Sequence, residues 1–263
     1  GIGTKSGTTV ETLAQALLAL EWLGKERWST QVVAITDPAK GDLKAFAQAT
    51  GISTLDIAPS LGGRFSIFSP VGLFPAALAG LDAGQLLLGA KQVHDYCEKT
   101  APEKNALFTT AIELLRHARK RPIHVCMPYS TPLRQVASWF VQLWAESLGK
   151  DGKGFTPLAA LGATDQHSIL QLMRDGPDDK VTFFLTVDRV AEDCIVPKAL
   201  PGIELARYPA FALLKGASLH ELLAIEYRAI SLVMSKRERP HFSWKLDIID
   251  ERARGALYYA LCV

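Results

Sequence analysis

The segment Thr4-Lys5-Ser6-Gly7-Thr8-Thr9 concentrates four hydroxyls, one cation and one glycine in six positions. Directly before it, Gly1 to Gly3 reads as the end of a strand. Directly after it, Leu13, Leu17, Leu20 and Leu23 recur at helical spacing, which predicts a helix over Glu11 to Lys25. A helix N-terminus carries unpaired backbone N–H groups and a partial positive charge, so it attracts anions. Hydroxyl donors, the Lys5 charge and a close-approach glycine at that point suit a monophosphate. The same letters also suit an ordinary Ser/Thr N-cap and tight turn. The spacing of a nucleotide P-loop is absent, so ATP is not implied.

Three more residues could do chemistry. Arg64 follows Gly62 and Gly63, and an arginine on such a turn offers five donors to developing oxyanion charge. It reads equally as a surface loop arginine. Glu146 lies near the end of an apolar helix, among Trp139, Phe140, Leu143 and Trp144. There a carboxylate opposes the helix dipole, and partial burial would lift its pKa toward general-base range. The plain alternative is a solvated helix-end glutamate. His167 follows Thr164-Asp165-Gln166 at a strand-to-helix turn. Capping by Thr164 or Asp165 would leave its imidazole facing a cleft, able to pass protons near neutral pH. A purely structural histidine fits the turn as well. His94, His117, His124, His220 and His241 have no comparable setting, and no cluster has metal-ligand spacing, so no metal is expected.

The elements that must position these groups alternate between β-rich runs and helical patterns, the sign of an α/β protein with mostly parallel sheets. Strands are predicted at 31–36, 55–57, 123–127, 156–161, 181–187 and 242–246, with a weaker one at 203–206. Helices are predicted at 42–50, 82–99, 105–120, 132–148, 166–174 and 219–236, with a last one from about Asp250. Two αβ units in tandem follow, with a boundary between 80 and 121. The longest uncharged stretch, Phe65 to Leu81, has 17 residues and includes Pro70 and Pro75. It is shorter than the roughly 20 residues of a membrane span, and reads as buried core.

Bulk properties fit. The 263 residues are 48% apolar and 21% charged, ordinary globular composition. Lys+Arg 29 against Asp+Glu 27 gives a net charge of +2 without long like-charge blocks, so there is no nucleic-acid footprint. No secretory leader is evident. Cys97, Cys126, Cys194 and Cys262 are too far apart for a CxxC motif and are expected as isolated, reduced, buried thiols of a cytoplasmic protein.

Taken together, four motifs resemble the glucose-6-phosphate isomerase family, in family order over nearly the whole chain. Thr4 to Thr12 resembles its sugar-phosphate loop, S-K-[TS]-x-T-T-x-E-T. Gly62 to Leu73 resembles its GGR[FY]S signature. Trp144-Ala145-Glu146-Ser147-Leu148-Gly149-Lys150 is similar to the segment with its catalytic glutamate, and Thr164 to Ser168 with Gln171-Leu172 to the one with its catalytic histidine. The resemblance implies tandem sugar-isomerase (SIS) domains, each a three-layer α/β/α sandwich. Residues 1–80 would be the C-terminal part of a first, incomplete domain, and 81–263 linker helices and a second domain truncated at its C-terminus. It implies that Thr4, Lys5, Ser6, Thr8 and Thr9 hold the substrate phosphate, and that Gly63 and Arg64 line the sugar. Arg64 would stabilise an enediol(ate), Glu146 would move a proton between C2 and C1, and His167, supplied by the other subunit of a homodimer, would assist ring opening. No cofactor is implied.

The resemblance also places an upstream GGS-type phosphate segment before Gly1. A Gln/Lys signature with catalytic groups would lie beyond Val263, so an internal fragment with little turnover of its own is expected. A non-catalytic SIS module that only binds a phosphosugar, and an isomerase that also accepts mannose 6-phosphate, remain alternatives.

Overall fold

A computed structural model describes all residues from Gly1 to Val263. The chain divides into two compact units, Gly1–Val93 with Arg254–Val263, and His94–Ala253.

In the first unit the elements run β1 (Ile2–Gly3), α1 (Val10–Leu23), α2 (Trp28–Gln31), β2 (Val33–Thr36), α3 (Asp42–Thr50), β3 (Ser53–Asp56), α4 (Pro70–Leu78) and α5 (Ala83–Lys99), which continues into the second unit. The sheet has order β1-β2-β3, and both pairings are parallel. Its core joins Leu20, Val32, Ala34, Leu43, Ala47 and Ile52, so α1 and α3 cover one face. Gly51 is left-handed (φ 72°) and ends α3 where the sequence predicts.

The second unit continues with α6 (Ala106–His117), β4 (Ile123–Pro128), α7 (Arg134–Leu148), β5 (Thr156–Ala159), α8 (Gln166–Asp175), β6 (Lys180–Val187), α9 (Pro209–Leu214), α10 (Leu219–Lys236) and β7 (His241–Leu246). The sheet order is β5-β4-β6-β7, parallel throughout. Alternation along β4 separates two layers. Val125, Met127 and Tyr129 join Met173, Ile230 and Met234, the α8 and α10 side. On the other face, Phe140 of α7 meets Phe183 edge-on. All eight residues of β6 are buried, because its sheet neighbours and both helix layers cover it. Burying Phe184 and Leu185 contributes roughly 2–3 kcal/mol each. The last helix, α11 (Glu251–Cys262), packs into the first unit. A side chain on Gly255 would collide with the Leu86 carbonyl at 1.9 Å, so glycine sets that crossing.

Four expectations need correction. The weak strand at 203–206 is a 3₁₀ turn at Leu205–Arg207, preceded by a lone Leu200–Ile203 bridge. Pro201-Gly202, with Gly202 at φ 72°, folds the chain back on itself, and the proline removes a ladder donor. Gln31 belongs to α2, not to the following strand. Tertiary packing decides this: the Trp28 indole donates to the Leu20 carbonyl at 3.0 Å and its ring packs on Phe46. The apolar run 65–81 is not buried core, since α4 has no fully buried residue and Leu78 is 70% exposed. A helix apolar all round can turn only one side to a sheet, here Phe74 toward Gly1. Of the four thiols only Cys126 is buried, where desolvation raises its pKa strongly; Cys194 is exposed on the loop after β6. No helix is long and apolar enough to cross a membrane.

Candidate functional site

At the carboxyl ends of β1 and β2 the first unit opens a cavity of about 800 Å³. Gly3, Thr4, Lys5, Ser6 and Thr9 line it, together with Asp37, Lys40, Gly41, Pro59 and Gly63. This is where ligands bind in open parallel sheets. Thr4 is buried at 6% exposure, and its hydroxyl shares a 2.8 Å hydrogen bond with that of Thr9; the Ser6 oxygen lies 3.4 Å from both. Thr9 occupies the N-cap position of α1, yet its side chain makes no capping bond. The ordinary N-cap turn is therefore not what this loop forms. Its hydroxyls converge on one another beside the helix N-terminus, whose first N–H groups no side chain claims. Thr8 stands outside the cavity lining and donates its N–H and hydroxyl to Ser6. The Lys5 ammonium is tied to the Leu61 carbonyl, which holds it at the loop.

The sequence reading did not anticipate the second wall. Gly7 (φ 71°) and Gly41 (φ 102°) lie back to back. A Cβ on Gly41 would sit 2.8 Å from the Ser6 carbonyl, and one on Gly7 would sit 3.0 Å from the Gly41 Cα. Leu43 also donates its N–H to the Gly7 carbonyl at 3.3 Å. The start of α3 thus buttresses the loop, a contact across 34 residues that no local pattern advertises. Asp37 accepts from the N–H groups of Ala39 (2.9 Å) and Lys40 (3.2 Å), and the Ala39 bond chiefly keeps its carboxyl below the usual range. Gly63 lines the cavity and opens a 3₁₀ turn, Gly63–Phe68. Arg64, next along, lies with its guanidinium 4.6 Å from the centre of the Phe65 ring, a cation–π distance that steadies its direction.

In the second unit, Glu146 sits in the last turn of α7 and is exposed rather than partly buried; Gln142, one turn earlier, lies 3.5 Å away. The helix there ends against a glycine-rich loop. A Cβ on Gly149 would meet the Ala145 carbonyl at 2.6 Å, and Gly154 (φ 128°) passes close to Leu148. His167 lies in the first turn of α8, also exposed. The expected side-chain cap is absent. Asp165 instead accepts from the Leu161 N–H at 2.7 Å and fixes the preceding turn. Beside His167, Gln166 donates to the Tyr129 hydroxyl at 2.7 Å.

These contacts locate the two residues. α7 leaves the carboxyl end of β4 and runs back, so that Trp144 reaches His124 near the start of the strand. Gln166 reaches Tyr129 just past the strand's end. Five residue steps separate those anchors, about 16 Å at roughly 3.3 Å each. Glu146 and His167 therefore occupy opposite ends of one sheet. The fold brings Thr4, Lys5, Ser6, Thr9 and Gly63 to one cavity, and does not bring Glu146 to His167 within the chain.

Tandem parallel sheets with a hydroxyl-lined loop at a strand-to-helix junction define the class, an α/β protein with a cavity at the carboxyl ends of its first strands. Residues 2–187 match the phosphoglucose isomerase family model, and the chain belongs to that family. A glucose-6-phosphate isomerase from Rubrobacter xylanophilus is 43% identical, the match covering 98% of this chain and 60% of that protein. One from Thermus thermophilus is 41% identical, over 97% and 61%. The chain spans about 60% of the length of the curated relatives it matches. A crystal structure of a hypothetical protein from Thermus thermophilus superposes with TM-score 0.89 at 36% identity, covering 99% of this chain and 63% of that one. A glucose-6-phosphate isomerase structure from Chlamydia trachomatis shares the fold (TM-score 0.79, 20% identity, 99% and 52% covered).

Proposed function

We propose that this chain is part of an enzyme interconverting glucose 6-phosphate and fructose 6-phosphate through an enediol(ate). The observation that carries the reading is the converged Thr4, Ser6 and Thr9 hydroxyls, beside an uncapped helix N-terminus in a family of phosphosugar isomerases. In this reading residues 1–80 form part of a first SIS domain, and 81–263 form linker helices and most of a second. The loop 4–9 grips the phosphate away from the reacting carbons, which supplies positioning energy without touching the chemistry. Arg64 and Gly63 face the sugar, and Arg64 offsets oxyanion charge as it develops.

Glu146 takes the weakly acidic proton alpha to the carbonyl and returns it to the neighbouring carbon. His167 assists ring opening. Because His167 lies at the far end of its own sheet from Glu146, it serves a second copy's site, and the enzyme is a cytoplasmic homodimer. The sequence of chemistry calls for one carboxylate, one cation and a ring-opening acid/base group.

The test is Glu146→Gln in the full-length protein. Turnover of fructose 6-phosphate is lost while sugar-phosphate binding survives; unchanged turnover would overturn the base assignment. Mixing Glu146→Gln with His167→Ala protein tests the shared site, since hybrid dimers carrying one intact site recover activity that neither variant has alone.

A further inference from the structure

No sequence signal points to His124, yet it is the most tightly constrained histidine of the second unit. It lies on β4 at 3% exposure, with its ring stacked on Phe155 (centroids 4.2 Å apart, planes 20°). Its Nδ1 accepts the indole N–H of Trp144 at 3.0 Å. A neutral imidazole that accepts at Nδ1 must carry its proton on Nε2, and that buried Nε2–H has no partner. A core residue chosen only to fill space would not leave a donor stranded. What the histidine supplies that an apolar side chain cannot is the acceptor for Trp144.

Trp144 is held from a second side by Phe140, one turn earlier (centroids 4.9 Å, planes 29°). It lies two residues before Glu146 in the last turn of α7. The final turn of a helix is its least constrained part. Here it is pinned sideways to the sheet by a hydrogen bond and lengthwise by Gly149 and Gly154.

We propose that His124 is a positioning residue. Through the Trp144 indole it fixes the last turn of α7, and thereby the direction of the Glu146 carboxylate. This rests on Glu146 being the base. Misplacing a base by about 1 Å costs on the order of a hundredfold, so a loosened last turn is read in turnover before it is read in binding.

The experiment uses the full-length enzyme with His124→Phe, Trp144→Phe, their double variant and His124→Asn. Phenylalanine keeps the ring stacked on Phe155 and removes the acceptor; asparagine restores an oxygen where Nδ1 stood. His124→Phe and Trp144→Phe each lower kcat by about tenfold or more, with KM for fructose 6-phosphate within about twofold of the parent. The double variant is no slower than either single, because both remove one bond. His124→Asn recovers most of kcat. In ¹⁵N-tryptophan-labelled protein, the resonance assigned by its loss in Trp144→Phe shifts in His124→Phe and not in His124→Asn. The double variant leaves no polar group unpaired, so it reports even where a single variant folds poorly.

If kcat stays at the parent level in Trp144→Phe and the double variant while Glu146→Gln is inactive, the positioning role is wrong and the base reading stands. If His124→Asn is as slow as His124→Phe, an acceptor at that place does not restore kcat and the proposal falls. If Glu146→Gln turns over normally, the base reading is what has failed.

Discussion

The hydroxyl loop 4–9 of the first unit and the Glu146/His167 region of the second are built on opposite plans. The loop gathers its groups from six consecutive residues and holds them against one another, with Thr4 buried and the hydroxyls in mutual contact. In the second unit the two chemically able residues are exposed, stand at opposite ends of one sheet, and do not meet in the chain. Binding a phosphate needs only donors at a helix start, so a local segment suffices. Acid/base chemistry needs groups on both sides of a sugar, and one sheet cannot present both of its ends to the same ligand.

The largest expected effect tests the second region. Glu146→Gln in the full-length protein should lower kcat by about 10³-fold or more, near the upper range for removing a general base. A loss below about tenfold would make the two regions alike in being dispensable to chemistry. For the first region, Ser6→Ala combined with Thr9→Ala should raise KM for fructose 6-phosphate by about ten- to a hundredfold and leave kcat less affected, since uniform phosphate binding is lost. A change confined to kcat would mean that the loop acts in the transition state.

A third test concerns support beneath His167. Gly162 lies under the Tyr129 ring, and a Cβ there would come within 2.6 Å of it. Gly162→Ala should destabilise the folded protein by about 1–3 kcal/mol in urea unfolding, through overpacking of the Tyr129–Gln166 contact. The corresponding Gly41→Ala, strained in φ and pressed on the Ser6 carbonyl, should cost a similar amount and raise KM as well. Equal KM effects from both would erase the distinction between the regions.

The last effect is one of pH, and at neutral pH it is not felt at all. Burial, and to a lesser degree nearby His117, lower the His124 pKa from 6.5 to about 4. The unfolded chain therefore binds more protons than the folded one between those values. Stability should be constant above about pH 6.5 and fall as pH drops toward about 4, by up to about 3 kcal/mol. His124→Phe should flatten that slope; an unchanged slope would show that other groups carry it.

Much of the fold was legible because its signals are local. Asp42–Thr50 with its Gly51 stop, and Leu219–Lys236, follow directly from apolar spacing and, for the first, from its terminal glycine. The loop 4–9 was legible as a candidate for the same reason, its hydroxyls being consecutive. What misled was apolarity without period. The run 65–81 gave composition but no face, and the short apolar stretch at 203–206 gave no partner strand. Gln31 was misread because Trp28 binds the Leu20 carbonyl, a contact invisible to neighbouring letters.

The sequence by itself determined the alternation of strands and helices, the place of the hydroxyl loop, and the family, since each depends on residues near one another or on ordered motifs. Only the tertiary structure decided that Gly41 backs the loop, that His124 grips Trp144, and that Glu146 and His167 stand at opposite ends of a sheet. These follow from the direction in which a helix returns across its strand and from which residues a register brings level. Such relations arise between segments, and no window of sequence contains them.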